Sequence, residues 1–250
     1  MTTSYLSKYI QAKSDKLDTN KLIGGKATQL RNIDSKLVPN WAAITADCPD
    51  TELSNAVHEA WTKLTDGLSL TMYAVRSSAL AEDGEKQSYA GVFESKLNVP
   101  ITGLEHAVRE VRDSGQSKRV KEYLNASNER IATKITEEKI EGYQNVGVVI
   151  MPMVEAKFSG VLFTKEPLGG TDQMLVEYEP GVGGVVDGTS DTEMLFVSRT
   201  NEGKNTLKFV HSGHQVMDWS LPTILGEAKR LENNYRKPLD IEWAIDKNDK

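Results

Sequence analysis

Residues 146–164 read VGVVIMPMVEAKFSGVLFT, and this stretch decides the fold class. Its first nine residues carry no charge and include Pro152, far short of the roughly 20 apolar residues that a bilayer-crossing helix needs. Valine and isoleucine dominate it, as in a buried strand, and Ser159-Gly160 is expected to turn the chain into a second β-rich run at 160–164. Short runs of the same character recur at 174–178, 194–198 and 206–210, with Gly-Gly pairs between some of them. The second half of the chain therefore reads as a sheet.

Upstream the pattern is mixed. Residues 4–30 have apolar positions at near-helical spacing, broken by Asn20 and by Gly24-Gly25, and residues 26–33 read as a short helix launched from that glycine turn. Residues 41–45 are strand-like. Leu53, Val57, Ala60, Trp61 and Leu64 recur at spacings of three and four, which predicts a helix with one buried face. Residues 70–76 form a β-rich run that ends in Arg76-Ser77-Ser78, and 81–91 is a polar, glycine-punctuated loop. Thr102-Gly103-Leu104-Glu105 fits a capping box opening a helix, and a further helix is expected over about 118–135. Downstream, 221–235 reads as a helix and 240–245 as a last strand. Two α+β lobes around a cleft, residues 1–145 and 146–250, are the simplest architecture for this order.

Composition narrows the function. The 250 residues carry 30 Lys+Arg against 36 Asp+Glu, a net charge of −6, and there is one cysteine, Cys48. A chain of this balance with no basic block is not built for nucleic acid. The lone cysteine cannot form an internal disulfide and no secretory leader pattern opens the chain, so a cytoplasmic setting is expected.

Several short motifs could carry chemistry. Gly24-Gly25-Lys26 puts a lysine at a helix start, where free N–H groups favour an anion, although Gly-Gly-Lys also serves as a plain solvated turn. The spacing is not that of a Walker A loop. Arg76, at the end of a strand, suits bidentate phosphate binding or a structural salt bridge at a sheet edge. Ser88-Tyr89-Ala90-Gly91 reads as a flap over phosphates or as a surface hairpin. Gly181-Val182-Gly183-Gly184 allows close backbone approach, with Glu177 and Glu179 beside it. In Asp240-Ile241-Glu242-Trp243-Ala244, period two puts Asp240 and Glu242 on one face, which suits Mg²⁺ shared with nucleotide phosphates or an amphipathic edge strand. The four histidines form no metal or catalytic pattern.

In order, these motifs resemble the ATP-grasp nucleotide-binding domain of the phosphoenolpyruvate synthase and pyruvate phosphate dikinase family, shared by rifampin phosphotransferases. The matching segments are Ile23-Gly24-Gly25-Lys26-Ala27, Val75-Arg76-Ser77-Ser78-Ala79 with Glu82-Asp83, Ser88-Tyr89-Ala90-Gly91, residues 148–154, residues 159–164, Gly181-Val182-Gly183 with residues 185–188, and Asp240-Ile241-Glu242-Trp243-Ala244. The resemblance implies an ATP-grasp fold with ATP between two lobes. It implies Lys26 and Arg76 on the phosphates as catalytic groups, and Ser88, Tyr89, Ala90 and Gly91 folding over them. Met151, Met153 and Val154 would form the adenine hinge, Glu177, Gly181 and Gly183 would lie near the nucleotide, and Glu242 would bind magnesium. It further implies phosphoryl transfer from ATP to a histidine on a swivelling partner domain, in cis or in trans.

The chain also departs from the family's pattern. Gly-Leu-Gly-Glu is here Gly-Val-Gly-Gly, so Gly184 replaces a carboxylate, and Val92 stands where the flap has glutamine. The family usually follows Glu-Trp-Ala with a strand carrying Gln and then Arg-Pro, which is not among these 250 residues, so one magnesium ligand and one phosphate contact of the family are not in this sequence. Three readings follow: a dikinase-like or rifampin-type phosphotransferase domain, a non-catalytic ATP-binding regulatory module, and a ligase forming an acyl phosphate by the same ATP-grasp logic.

Overall fold

The computed structural model describes residues 9–16, 22–65, 72–79, 94–118, 120, 146–167, 172–182, 192–198, 207–209 and 221–248. The chain divides into two compact units, Met1–Met153 and Val154–Lys250. Both are mixed helix and antiparallel sheet, an α+β fold. No described helix is long and apolar enough to cross a membrane.

The first unit contains β1 (Ile10–Ala12), α1 (Gly24–Asn32), β2 (Ala42–Ile44), α2 (Leu53–Thr65), β3 (Met72–Ala79), β4 (Ser95–Pro100), α3 (Leu104–Ser114) and β5 (Val146–Pro152). Its sheet runs β1-β2-β5-β3-β4, antiparallel at every pairing. Here the sequence reading is corrected: β5, expected to open the second lobe, is the central strand of the first sheet. Its residues are buried from Val146 to Ile150, as a strand covered on both faces must be. The first unit ends just after it, at Met153.

Helices cover the two faces separately. Leu53, Ala56, Val57, Ala60 and Leu64 of α2 and Leu104, Ala107, Val108 and Val111 of α3 pack on Ala42, Ile44, Tyr73, Val75, Val148 and Ile150. On the other face, Ile23 and Ala27 pack with Trp41, Ala43 and Val149, and Met151 lies against them. Trp61, expected to be fully inside α2's stripe, is partly buried, and its indole N–H donates to the Tyr73 hydroxyl at 2.9 Å. Cys48 is buried at 1% exposure, and desolvation raises its thiol pKa, so it is a core residue here.

Three local expectations fail for identifiable reasons. Part of the near-helical opening is the buried strand β1, held by pairing with β2 rather than by local spacing. The capping box does not form, because Ile101–Gly103 makes a 3₁₀ turn and α3 starts after it, with no side-chain cap. Glu105 instead accepts bonds from Arg109 and Ser54, each at 2.7 Å, which hold its carboxyl below the usual range. Ser159-Gly160 is not a turn but lies inside a strand of the second unit. Most of the expected helix at 118–135 falls outside the described residues.

The second unit contains β6 (Ala156–Phe163), β7 (Gln173–Pro180), β8 (Glu193–Ser198), β9 (Leu207–Phe209), α4 (Leu221–Tyr235) and β10 (Asp240–Asp246), with sheet order β10-β6-β7-β8-β9. Leu221, Leu225 and Ala228 of α4 pack on Leu162, Met174, Val176, Tyr178, Leu195, Val197 and Ile245. Gly160 pairs with Tyr178 on one side and Trp243 on the other, and those two rings stand 6.4 Å apart. A Cβ at Gly160 would fall 2.0 Å from the Glu177 carbonyl oxygen, so this strand glycine is a requirement of close approach.

Candidate functional site

In the first unit, the strand pairing fixes where Arg76 points. Arg76 is opposite Val149, Ala74 opposite Met151 and Ser78 opposite Gly147. Val149 packs with α1, so Arg76 and Ser78 share the face that carries α1. Both Lys26 and Arg76 are partly exposed.

Contacts between α1 and β3 are intimate. Gly24 has φ +77°, and a Cβ there would lie 1.9 Å from the Ser78 carbonyl oxygen, so only glycine fits. Ala27 donates its backbone N–H to the Ser78 hydroxyl at 3.1 Å. Gly147 completes the seat: a Cβ on it would come within 3.0 Å of the Ile23 carbonyl oxygen and 3.2 Å of that of Ser78. The Gly-Gly-Lys turn thus rests on the strand that carries Arg76. Sequence reasoning quoted Ser78 but assigned it no role, and it missed Gly147. Period two along β3, which puts Arg76 and Ser78 on one face, was the available signal for Ser78.

In the second unit, pairing lines up a row of residues across the sheet: Glu242 on β10, Val161 on β6, Glu177 on β7 and Met194 on β8. Residues directly opposite share a face, so the Glu242 and Glu177 carboxylates stand on the same face, with Cα atoms about 10 Å apart across two strand spacings. It is the face away from α4, since Ile241, Trp243, Val176 and Tyr178 point to the helix. Asp240 and Glu242 are exposed, as the alternation predicted. Although Asp240 is exposed, desolvation by the protein around it raises its carboxyl above its ordinary pKa, which a nearby cation would counter. Glu179, in the next row with Ser159 and Ala244, is buried.

Tyr178, on the helix side, donates its hydroxyl to Glu193 at 2.5 Å; burial, then that carboxylate, raises its pKa, so the phenol stays protonated. It is a packing residue of the row's reverse face.

Among the described residues no three His, Cys, Asp or Glu side chains cluster as a metal-holding group. The oxygen donors on β10 nonetheless suit a hard cation whose remaining ligands come from phosphates and water.

The other expected site residues are placed as follows. Met151 lies on the α1 face of β5. The Met153 N–H donates to the Met72 carbonyl, and the Val154 carbonyl accepts from Ala156, so those two groups of the expected hinge already have partners. Gly181 has φ +86° at the end of β7, with open space where its side chain would be. Ser88, Tyr89, Ala90, Gly91 and Gly183 lie outside the described residues.

Comparison with known proteins identifies the family. Residues 42–250 match the profile of the pyruvate phosphate dikinase AMP/ATP-binding domain. The chain is 30% identical over 221 residues to the prodigiosin synthesizing transferase PigC of Serratia marcescens, covering 77% of this chain and 23% of that protein. It is 30% identical over 212 residues to a probable phosphoenolpyruvate synthase of Archaeoglobus fulgidus, covering 75% and 27%. A rifampicin phosphotransferase of Streptomyces is 29% identical over 199 residues, covering 70% and 22%. The chain thus spans 22–27% of the length of these three curated relatives. With most of its length matched, from β2 to its last residue, the chain belongs to the pyruvate phosphate dikinase AMP/ATP-binding domain family.

Proposed function

We propose that this chain is the ATP- and Mg²⁺-binding, ATP-grasp part of a phosphotransferase that passes a phosphoryl group from ATP to a histidine on a partner domain, in cis or in trans. The observation that carries the reading is the docking of Gly24-Gly25-Lys26 on Ser78, two residues from Arg76 and on the same face.

Phosphoryl transfer asks a protein for positioning and charge neutralisation more than for covalent chemistry. Lys26 supplies a point charge at the start of α1, beside backbone N–H groups that an anion can engage. Arg76 supplies a planar fork that can grip two phosphate oxygens at once. Glu242, with Asp240 beside it on the exposed face of β10, would hold Mg²⁺, and Glu177 would approach the nucleotide from the same face. Held there, Mg²⁺ would supply neutralisation of the charge on the phosphates. Gly181 and Gly183 would let backbone come close to the ligand, while Ser88, Tyr89, Ala90 and Gly91 would cover the phosphates. The adenine would meet the segment of Met151, Met153 and Val154 through groups other than the engaged Met153 N–H and Val154 carbonyl.

A second reading, an ATP-binding regulatory module without turnover, is favoured by Gly184, which replaces a carboxylate expected in the family's glycine turn.

One assay separates the two. The chain is incubated with ATP labelled at both the β and γ phosphates, alone and with a histidine-bearing domain of a related phosphotransferase added in trans. Acid-labile label is expected on the added domain and absent from this chain alone. Label on His211 or His214 without a partner would overturn the split arrangement, and ATP binding with no label on either protein would select the regulatory reading.

A further inference from the structure

We propose that Ser78 is the positioning residue of the phosphate-binding turn: acting from β3, it sets where Gly24-Gly25-Lys26 stands relative to Arg76. The inference rests on the ATP-binding reading above and adds to it a residue that is not itself a ligand.

Helix α1 starts without a cap of its own. Ile23 occupies the N-cap position and offers no side-chain oxygen, although a serine, threonine or aspartate normally stands there to satisfy an early N–H group. Ser78, 51 residues beyond Ala27 in the chain, ties this first turn to β3 instead by accepting the Ala27 N–H at 3.1 Å. The same residue also forms the floor of the turn, since a side chain on Gly24 would collide with its carbonyl at 1.9 Å and its hydroxyl at 2.6 Å. Gly147 clears the adjoining space under Ile23. The turn is therefore held by one hydroxyl and by two side chains that are absent.

Arg76 lies two residues before Ser78 on the same face of the same strand, so about 6.6 Å of strand rise separates their Cα atoms. Through Ser78, the lysine-bearing turn and the arginine are referred to one rigid element. Ser78 itself is 0% exposed and cannot touch a nucleotide. Its removal leaves β3 and its pairing in place but frees the start of α1. The cost then falls on any ligand that needs the turn and the arginine together, because fixing the turn must be done at the moment of binding.

The test compares the unmodified chain with Ser78→Ala, using MgATP by calorimetry and adenosine by NMR titration carried to millimolar concentration. Adenosine has no phosphate to engage the turn. The expected result is a loss of about tenfold in MgATP affinity with adenosine affinity changed less than twofold. A merely structural role would lower both by the same factor, and that result overturns the proposal, as does MgATP affinity within twofold of the unmodified chain. If Ser78→Ala fails to fold by circular dichroism, Ser78→Cys, which keeps the volume but is a weaker acceptor, is read by the same ratio. An unmodified chain that binds MgATP no more tightly than adenosine would overturn the phosphate reading itself, and this inference with it.

Discussion

Replacing Lys26 or Arg76 with alanine is expected to cut the thermal shift that MgATP gives the protein to about half or less while leaving the melting temperature of the free chain nearly unchanged. Both side chains are partly exposed, and neither belongs to a hydrophobic cluster that holds the first unit. A charge-assisted contact to phosphate is worth about 1.5–3 kcal/mol, so each loss should cost about 10- to 100-fold in affinity. At a ligand concentration 100 times Kd the unmodified chain gains about 2.7 kcal/mol, and a 100-fold weaker variant gains only about 0.4 kcal/mol. Differential scanning fluorimetry with and without MgATP reads this directly. If either substitution instead destabilises the free protein by more than ~2 kcal/mol, the residue is a structural salt-bridge partner and its assigned role fails.

A large effect on stability is expected at Gly160. A Cβ there would stand 2.0 Å from the Glu177 carbonyl oxygen and 2.9 Å from the Tyr178 Cα, both backbone atoms of β7. No flexible side chain can move aside, so β6 and β7 must part or shift, and Gly160→Ala should cost at least ~3 kcal/mol. Gly226 provides the opposite case. It is exposed within α4 with nothing near its Cβ position, so Gly226→Ala should stabilise by about 0.5–1 kcal/mol. Urea unfolding of the two variants measures both. A Gly160→Ala midpoint equal to that of the unmodified chain would show that the close approach of β6 and β7 is not required.

The parts of the fold that sequence revealed are those whose local pattern matches their final environment. α4 runs over the expected Leu221–Tyr235, and β10 alternates as expected, because each packs one face and leaves the other exposed. Residues whose fate is decided by distant partners were not legible. β1 has only three residues and is a strand because β2 lies beside it. β4 is a polar edge strand with a buried residue at Val99 and little alternation to detect. β5 and β6 are adjacent in sequence and similar in composition, yet they belong to different sheets, and nothing within the 146–164 stretch says so. Gly160 looked like a turn because glycine punctuates loops, whereas here it lets β6 lie close against the Glu177 carbonyl of β7.

The candidate site follows the same division. The residue types at Lys26, Arg76 and Glu242 could be singled out from sequence, but each had an ordinary structural reading as well. The structure adds register. Arg76 and Ser78 face α1 only because β3 pairs with β5 as it does, and Glu242 and Glu177 share a face only because Val161 stands opposite both. Long-range pairing of this kind is set by tertiary structure and leaves no local trace in the chain.

The central claim is that this chain binds ATP together with Mg²⁺, and the most direct measurement is a calorimetric titration of the unmodified chain with ATP in the presence and absence of the metal. Saturable binding in the micromolar to millimolar range, about −8 to −4 kcal/mol, is expected with Mg²⁺ and much weaker binding without it. Equal affinity under both conditions would contradict the role given to Glu242, and no binding under either would contradict the account as a whole.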